Sequence, residues 1–376
     1  MKVQGFIASR LRFRSGLATA AIAVSFLVMI VSLAISGGFR KEIRGGITEL
    51  TGDILLTGSE EPLETGLSYY PLLEKIRGVE SISPVITRPA IVKGPEDIAG
   101  VIVKGVSMPD SLSLRATVPT RLASMLKLAE GEKFTVWFID EKVKARRFTV
   151  EGTYEAPAGA DEALTIIVPL SDMQRLCDWD AGKAGALEVR LAEGANEDAV
   201  ASEMFFTALG NHGEEEDIIR PATARQRYPQ LFDWLDLIDF NVLTIILLMT
   251  VVAGFNMISG LLIMLFRNIS TIGILKSLGM GNRAIAGVFL RVAARITATG
   301  MLIGNAAALL FCLVQGTTRF IKLNPANYFV SFVPVSVSVP LLVLVNVLSF
   351  AAIMLLLLIP TLFISKVDPA ETVRVK

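Results

Sequence analysis

The sequence predicts a polytopic α-helical membrane protein with four transmembrane helices, both termini in the cytosol, and a large extracytoplasmic α+β domain inserted between helices 1 and 2. Hydrophobic residues make up 52% of the 376 residues, and the mean hydropathy of +0.56 is too high for an ordinary soluble protein. Four stretches lack Asp, Glu, Lys, Arg and His and are long enough to cross a bilayer core of about 30 Å. The segment between the first two stretches is charged and acidic, which indicates a water-soluble domain.

The apolar stretches set the boundaries of every segment. We predict a cytosolic interfacial helix at 1–16, transmembrane helices at 17–39, 240–266, 296–314 and 333–365, the large domain with its stalk helices at 40–239, a cytosolic loop at 267–295, an extracytoplasmic loop at 315–332 and a cytosolic tail at 366–376. The first apolar run is long enough to span, which favours a membrane anchor over a cleaved secretory signal.

The predicted orientation depends on the loop 267–295, which carries five cations and no acidic residue. The cations are Arg267, Lys276, Arg283, Arg291 and Arg295. Short loops that are rich in Lys and Arg stay on the cytoplasmic side of a membrane. We therefore expect this loop in the cytosol and the large domain on the opposite side of the membrane.

The residue inventory argues against several function classes. The predicted spans contain no Asp, Glu, His, Lys or Arg, whereas transporters driven by ion gradients need ionisable groups within the membrane. No G-x-x-x-x-G-K-[ST] phosphate loop occurs, and no H-E-x-x-H motif or other hydrolytic constellation lies in or beside the spans. We expect no catalytic, cofactor-binding or metal-binding residue in this chain and no nucleic-acid partner. Energy is expected from a separate ATPase subunit that holds ATP and Mg.

The large domain mixes predicted strands with predicted helices. Segments rich in β-branched residues and bounded by Gly or Pro predict strands at 81–92, 100–105, 133–140, 146–155, 163–168 and 186–191. Helices are predicted at 71–77, 119–126, 171–177 and 196–209. Ser171 and Asn196 are the expected N-caps of the last two helices, because both side chains accept hydrogen bonds from free backbone amides. This mixture is typical of an α+β domain.

A short amphipathic helix is predicted inside the cytosolic loop. Apolar residues recur there every three residues, one more widens the stripe, and a glycine follows as a helix-ending residue. The candidate coupling residues are Ile272, Ile274, Leu275, Lys276, Leu278 and Gly279. Two interpretations remain open: a re-entry helix that rests on lipid headgroups, and a docking element for a soluble partner.

Charged residues flank the large domain where the chain leaves and re-enters the membrane. Apolar residues continue there at helical spacing, so the first two transmembrane helices are expected to extend as stalks. The candidates for pairing between the stalks are Arg40, Lys41 and Arg44 on the outgoing helix and Asp233, Asp236 and Asp239 on the returning helix. If the stalks run antiparallel, Arg40 meets Asp239 and Arg44 meets Asp236. Independently solvated charges are the alternative interpretation.

Small residues at four-residue spacing predict a close helix contact in the third span. These are Gly300, Gly304 and Ala308. General packing between helices and dimerisation between subunits explain this spacing about equally well. Asn305 and Asn346 are among the amides expected to form interhelical hydrogen bonds within the membrane.

The run IGILKSLGM at 272–280 resembles the coupling loop of ABC-transporter permeases of the FtsX/MacB superfamily. Four further segments are similar, in the same order, to the periplasmic core domain of that superfamily: 101–110, 126–138, 148–177 and 187–200. Three segments, 231–280, 324–335 and 368–375, are most similar to its lipoprotein-releasing branch. The chain departs from the superfamily at Thr271, where an acidic residue is usual, and at Arg267 and Asn268, where a Glu usually opens the loop.

The resemblance implies a large domain of MacB core type and a permease driven by a partner ABC ATPase that docks on the predicted helix. It implies a second permease copy or paralogue, a lipoprotein substrate released from the inner membrane of a Gram-negative bacterium by mechanotransmission, and a periplasmic lipoprotein carrier as a further candidate partner. Two alternatives stay open: an FtsX-like regulator that relays ATPase motion to periplasmic partners, and a MacB-like efflux permease.

Overall fold

The computed structural model describes residues 16–94, 97–139, 143–156, 164–213, 216–324 and 328–361. The chain divides into two compact units. The membrane unit comprises Met1–Lys41, Trp234–Leu323 and Phe332–Lys376, and the sheet unit comprises Glu42–Asp233 and Asn324–Ser331. The predicted interfacial helix, apart from residue 16, and the predicted cytosolic tail lie outside the described residues.

Helices and strands alternate through the sheet unit, whereas the membrane unit is helical. The helices are α1 (Gly16–Thr51), α2 (Tyr70–Leu73), α3 (Thr120–Leu126), α4 (Leu170–Cys177), α5 (Glu197–Asn211), α6 (Ala224–Arg227), α7 (Pro229–Arg267), α8 (Ile269–Ser277), α9 (Asn282–Thr318), α10 (Val339–Leu356) and α11 (Leu358–Thr361). The strands are β1 (Ile54–Thr57), β2 (Leu63–Glu64), β3 (Val79–Lys93), β4 (Ile98–Val106), β5 (Arg115–Pro119), β6 (Lys133–Ile139), β7 (Val143–Tyr154), β8 (Thr165–Pro169), β9 (Lys183–Ala184), β10 (Ala186–Leu191) and β11 (Arg220–Thr223).

Four helical segments among the described residues are long and apolar enough to cross a membrane: α1, α7, α9 and Val339–Thr361. Helix α1 continues beyond its apolar run to Thr51, and α7 begins at Pro229, ahead of its own apolar run. Both helices therefore have the stalk extensions that the sequence predicts. Helix α9 likewise begins at Asn282, so the second half of the loop 267–295 is helical.

The fourth helix begins later than the predicted span at 333–365. Its first residue is Val339, and Pro340 lies in its first turn, where the missing backbone N–H of proline costs no hydrogen bond. The carbonyl oxygen of Val333 accepts instead from the buried Gln315 side chain at 2.9 Å. Residues 333–338 thus form an irregular segment that precedes α10.

The sheet unit is built on one nine-stranded sheet with the order β11-β1-β10-β3-β4-β8-β5-β7-β6. Strand β6 pairs with β7 and also with β3, so the six strands from β3 to β6 in that order close into a ring. The pairs β4–β8 and β5–β7 are parallel. The long strand β3 belongs to both halves of the sheet, because its first half pairs with β10 and its second half with β4 and β6.

Each half of the sheet has its own apolar core. Fully buried side chains such as Phe148 and Val168 fill the cluster associated with the closed ring. A second cluster, which includes Leu56, Tyr69 and Met204, joins β1 and β10 to α2 and α5. Burial of such side chains contributes about 1.5–3 kcal/mol each, which makes these clusters the main source of stability in the unit.

The six predicted strands are all present, the strand at 186–191 with the predicted ends, and five further strands were not predicted. Asn196 is confirmed as the N-cap of α5, where it accepts from the amides of Asp198 and Ala199. The prediction of Ser171 as a cap is wrong. Helix α4 starts directly after Pro169, the last residue of β8, so Ser171 already lies in its first turn, and its hydroxyl is buried without a hydrogen bond.

Glycines let α9 approach α1 closely within the membrane unit. A Cβ on Gly300 would lie 2.8 Å from the Cβ of Ile22, and a Cβ on Gly304 would overlap the carbonyl oxygen of Ala23. Ala308 is fully buried on the same helix. The predicted small-residue face therefore packs within the chain. Asn305 and Asn346 exchange two side-chain hydrogen bonds, at 2.7 and 3.2 Å, between α9 and α10.

Candidate functional site

Helix α8 is a separate short helix between the long helices α7 and α9. It follows Asn268 and ends before Gly279, whose φ of +85° is a conformation that favours glycine. The amide of Gly279 donates to the carbonyl of Lys276 at 2.9 Å and the amide of Met280 donates to the carbonyl of Leu275 at 2.9 Å, so two carbonyls of the last turn have partners. The Leu-Gly-Met sequence thus forms a defined helix end.

The apolar residues of α8 point in two directions. Ile272 is 1% exposed and packs, with Leu275, into the core cluster of the membrane unit. Ile274 is 54% exposed and Leu278 is 77% exposed. Since residues four apart share one face of a helix, Ile274 and Leu278 form one exposed apolar pair, which we call the coupling pair.

The other two candidate coupling residues flank this pair. Lys276 is partly buried and Gly279 is exposed. Arg267 and Arg283, at the two ends of the connection between the long helices, are also exposed. The connection between the long helices thus exposes two apolar side chains, Ile274 and Leu278, and a cation at each of its ends.

The stalk portions of α1 and α7 meet through polar and aromatic contacts. Arg40 forms an ion pair with Asp239 and a longer one, at 3.4 Å, with Asp236. The Ser36 hydroxyl also donates to Asp239. Arg40 thus contacts two of the candidate carboxylates, Asp236 and Asp239.

The predicted pairing of Arg44 with Asp236 is wrong, because the guanidinium of Arg44 contacts Glu197 at the start of α5. Burial raises the pKa of Glu197, and Arg44 opposes that rise. The remaining candidates, Lys41 and Asp233, are exposed. Glu197 lies beside Arg44 because of the fold of the sheet unit. The sequence of the two stalks does not predict this contact.

The carboxyl end of α1 is held by three cationic side chains from different elements, a group that we call the terminal socket. Lys104 donates to the carbonyl of Leu50, Arg190 to Glu49 at 3.1 Å, and Arg227 to Thr51 at 2.9 Å. Cations stabilise a helix at this end, because the last carbonyls have no intrahelical partner and the helix dipole is negative there.

Lys104 of the terminal socket is itself nearly buried, and it forms an ion pair with Glu188 at 2.6 Å. Burial lowers the pKa of Lys104, and Glu188 opposes that change. Burial also lowers the pKa of Arg227. Sequence reasoning missed the socket because its members lie in β4, β10 and α6, far from α1 along the chain.

A glycine pair near the middle of α1 accommodates the irregular segment before α10. A Cβ on Gly38 would overlap the carbonyl of Pro334, and the amide of Ser336 donates to the carbonyl of Ala34 at 2.9 Å. We call this contact the glycine notch. It fixes the irregular segment 333–338 against α1 through backbone groups.

The described part of the chain holds no group of three or more His, Cys, Asp or Glu side chains that could bind a metal ion.

Family models match two successive parts of the chain. The model of the MacB-like periplasmic core domain matches residues 15–204, and that of the FtsX-like permease C-terminal matches residues 243–369. Two relatives, both named lipoprotein-releasing system transmembrane protein LolC, come from Xylella fastidiosa and Neisseria meningitidis serogroup B. Each is 22% identical to this chain, over 94% of this chain and 92% of the relative.

Among solved structures, the periplasmic region of MacB from Actinobacillus actinomycetemcomitans is similar to 49% of this chain and to 95% of its own length, at 12% identity and a TM-score of 0.32. The match of the MacB-like model covers half of the chain, and the FtsX-like model follows it along the sequence. The chain belongs to the FtsX/MacB family of ABC-transporter permeases.

Proposed function

We propose that this chain is the permease subunit of an ABC transporter that releases lipoproteins from the inner membrane of a Gram-negative bacterium. The observation that carries the proposal is the two-sided α8, which exposes Ile274 and Leu278 while Ile272 and Leu275 anchor it in the membrane unit. The likeness to two proteins named for lipoprotein release, along 94% of the chain, supports the choice of cargo.

The proposed topology has four spans with both termini in the cytosol. The five cations and the absence of acidic residues in 267–295 support a cytosolic position for α8. The sheet unit then lies in the periplasm. In this orientation the coupling pair faces the compartment that contains ATP.

The proposed mechanism is mechanical. A partner ATPase binds the coupling pair and holds ATP and Mg in its own subunit. Because α8 packs into the same core cluster as residues of α1, α7, α9 and α10, a force on α8 reaches the long helices rather than only a loop. The stalk portions of α1 and α7 carry the movement to the periplasmic side, where a lipid-anchored protein is lifted from the membrane towards a carrier.

A complete transporter on this proposal needs a second permease, either another copy of this chain or a paralogue. Reconstitution tests the function. The tagged chain, purified with its ATPase and second permease, is placed in proteoliposomes that contain a fluorescent lipoprotein. We expect the lipoprotein to appear in the soluble fraction only when ATP is hydrolysed. A complex that hydrolyses ATP and retains every lipoprotein in the membrane would contradict the proposed cargo.

A further inference from the structure

The last turns of α9 and the irregular segment 333–338 line an open groove of about 650 Å³ in the membrane unit, which we call the apolar groove. Its lining includes Leu309, Leu313, Gly316 and Thr317 of α9 and Val335 and Val337 of the segment. The four positions on α9 share one face and extend over about 12 Å of the helix. The leucines belong to the predicted span 296–314, so most of the groove lies in the hydrocarbon layer.

Two exposed cations lie beside one aromatic ring directly after α9. The guanidinium carbon of Arg319 is 4.3 Å from the centre of the Phe332 ring. Lys322 pairs with the same Phe332 in an antiparallel β-bridge, and side chains of directly opposite residues lie on the same side of such a pair, with Cβ atoms about 4.5–5.5 Å apart. Phe332 therefore brings both cations to one place, two residues beyond the groove-lining Thr317.

A buried amide fixes the chain that carries these cations. Gln315 is 0% exposed. Its side-chain nitrogen donates to the carbonyl of Val333 at 2.9 Å, and its side-chain oxygen accepts from the amide of Ile321 at 3.2 Å. The amide of Val333 also donates to the carbonyl of Ile321 at 3.0 Å. A satisfied buried network of this kind makes the local structure rigid, so the fold itself sets the positions of Arg319 and Lys322.

The depth of the cations in the membrane determines which anion they meet. Arg319 follows Val314, the last residue of the predicted span, by five residues, which is about 7.5 Å along a helix. The headgroup layer on each side of a bilayer is about 5–8 Å thick, so both cations lie at the level of lipid phosphates. The sequence contains no acidic residue between Asp239 and Asp368. Guanidinium and ammonium groups both bind phosphate through charge-assisted hydrogen bonds.

We propose that the apolar groove and the pair of Arg319 and Lys322 form a binding site for one anionic phospholipid. An acyl chain lies along α9 in the groove, and the phosphate contacts both cations. A lipid anchor without a phosphate fills the groove but gives the cations no anion. The site depends on the membrane position of α9 and not on lipoprotein release, so failure of the release experiment and failure of this proposal are distinguishable.

The test uses the full chain in detergent with equal amounts of phosphatidylglycerol and of diacylglycerol with the same acyl chains. Native mass spectrometry counts the retained lipids. We expect retention of phosphatidylglycerol in preference to diacylglycerol. Arg319→Gln should reduce this retention about tenfold, because a charge-assisted contact with the phosphate is lost. Arg283→Gln removes an exposed cation at the other end of α9 and should retain phosphatidylglycerol like the unchanged chain.

A second pair of variants tests the groove. A Cβ on Gly316 would be in ordinary contact with Val335, at 3.5 Å, so Gly316→Ala should leave retention unchanged. The larger side chain of Gly316→Leu fills the groove and should lower retention to the level of Arg319→Gln. Unfolding midpoints without added lipid show that each variant is folded. If Gly316→Leu does not fold, the exposed Lys322→Gln replaces it, with the same expected loss.

Four results would overturn the proposal. The first is equal retention of phosphatidylglycerol by Arg319→Gln and Arg283→Gln. The second is equal retention of diacylglycerol and phosphatidylglycerol by the unchanged chain, which would make the groove a site for any acyl chain. The third is an equal rise of the unfolding midpoint with inorganic phosphate alone. The fourth is unchanged lipid retention by Gly316→Leu together with loss of a second copy of the chain, which would assign the groove to an interface between subunits.

Discussion

Arg227 donates from both terminal nitrogens to the end of α1, through Nη1 to the carbonyl of Thr51 at 2.9 Å and through Nη2 to the carbonyl of Gly52 at 2.6 Å. The same arginine is the last residue of α6. Only Tyr228 separates it from Pro229, the first residue of α7. One side chain thus connects the end of the outgoing helix to the start of the returning helix within the sheet unit.

Replacing Arg227 by Met should destabilise the protein by about 2–4 kcal/mol, because two charge-assisted bonds are lost and two carbonyls lose their partner. The midpoint of thermal unfolding of the full chain measures the effect. Arg115→Met is the matched control, since the pair Arg115–Glu151 is half exposed and such pairs contribute about 0–1 kcal/mol. Equal midpoints for the two variants would show that the terminal socket adds no stability.

Sequence reasoning reached the elements that depend on local pattern. The spans, the stalk extensions and α8 follow from apolar runs and helical periodicity, and the chain segments that form them are continuous. Periodicity places Ile272 and Ile274 on one broad stripe, but it does not reveal which side of that stripe the core covers. Only the packing of α8 against the long helices separates the anchored residues from the coupling pair.

The parts that could not be predicted join residues that are distant in sequence. Lys104 reaches Leu50 and Glu188 only because β4 and β10 both pair with β3. The sequence predicts that Arg44 pairs with a carboxylate on the opposite stalk, whereas its partner in the fold is Glu197 of α5. The glycine notch depends on the irregular chain before α10, and the local sequence marks that segment only by Pro334 and by Pro340 in the first turn of the helix.

The ion pair between Arg40 and Asp239 should affect movement more than stability. Its side chains are 48% and 38% exposed, so the pair contributes about 0–1 kcal/mol, which is enough to bias two nearly balanced arrangements of the stalks. We expect Arg40→Glu to lower lipoprotein release per ATP while the complex still assembles. Adding Asp239→Arg should restore part of the release. If the double variant loses as much release per ATP as the two single changes combined, the pair has no role in the movement of the stalks.

The glycine notch predicts opposite effects for two glycines of the same helix. Gly38→Ala should destabilise the chain by about 1–3 kcal/mol, because the new methyl group overlaps Pro334. Gly45→Ala has open space around it and should stabilise α1 by about 0.5–1 kcal/mol through helix propensity. Thermal unfolding of the two variants measures the difference. If Gly38→Ala also unfolds no earlier than the unchanged chain, segment 333–338 is not held against α1.

Leu275 and Leu278 should respond differently to the same substitution. Leu275→Asp places a charge in the core cluster of the membrane unit and should lower the unfolding midpoint and the yield of inserted protein. Leu278→Asp changes an exposed side chain, so it should leave the yield unchanged and the free energy of unfolding within about 0.5 kcal/mol of that of the unchanged chain. Comparable loss of folding in both variants would contradict the two-sided description of α8.

We propose that a partner ATPase binds the coupling pair. Co-purification of that ATPase with the chain tests this binding most directly. Ile274→Asp combined with Leu278→Asp removes both apolar contacts and should cost about 2–4 kcal/mol of binding, which is sufficient to lose the ATPase during purification. Asn282→Asp, an exposed charge control at the start of α9, should keep it. Both chains should insert into the membrane equally. Full recovery of the ATPase with the doubly substituted chain would contradict the account.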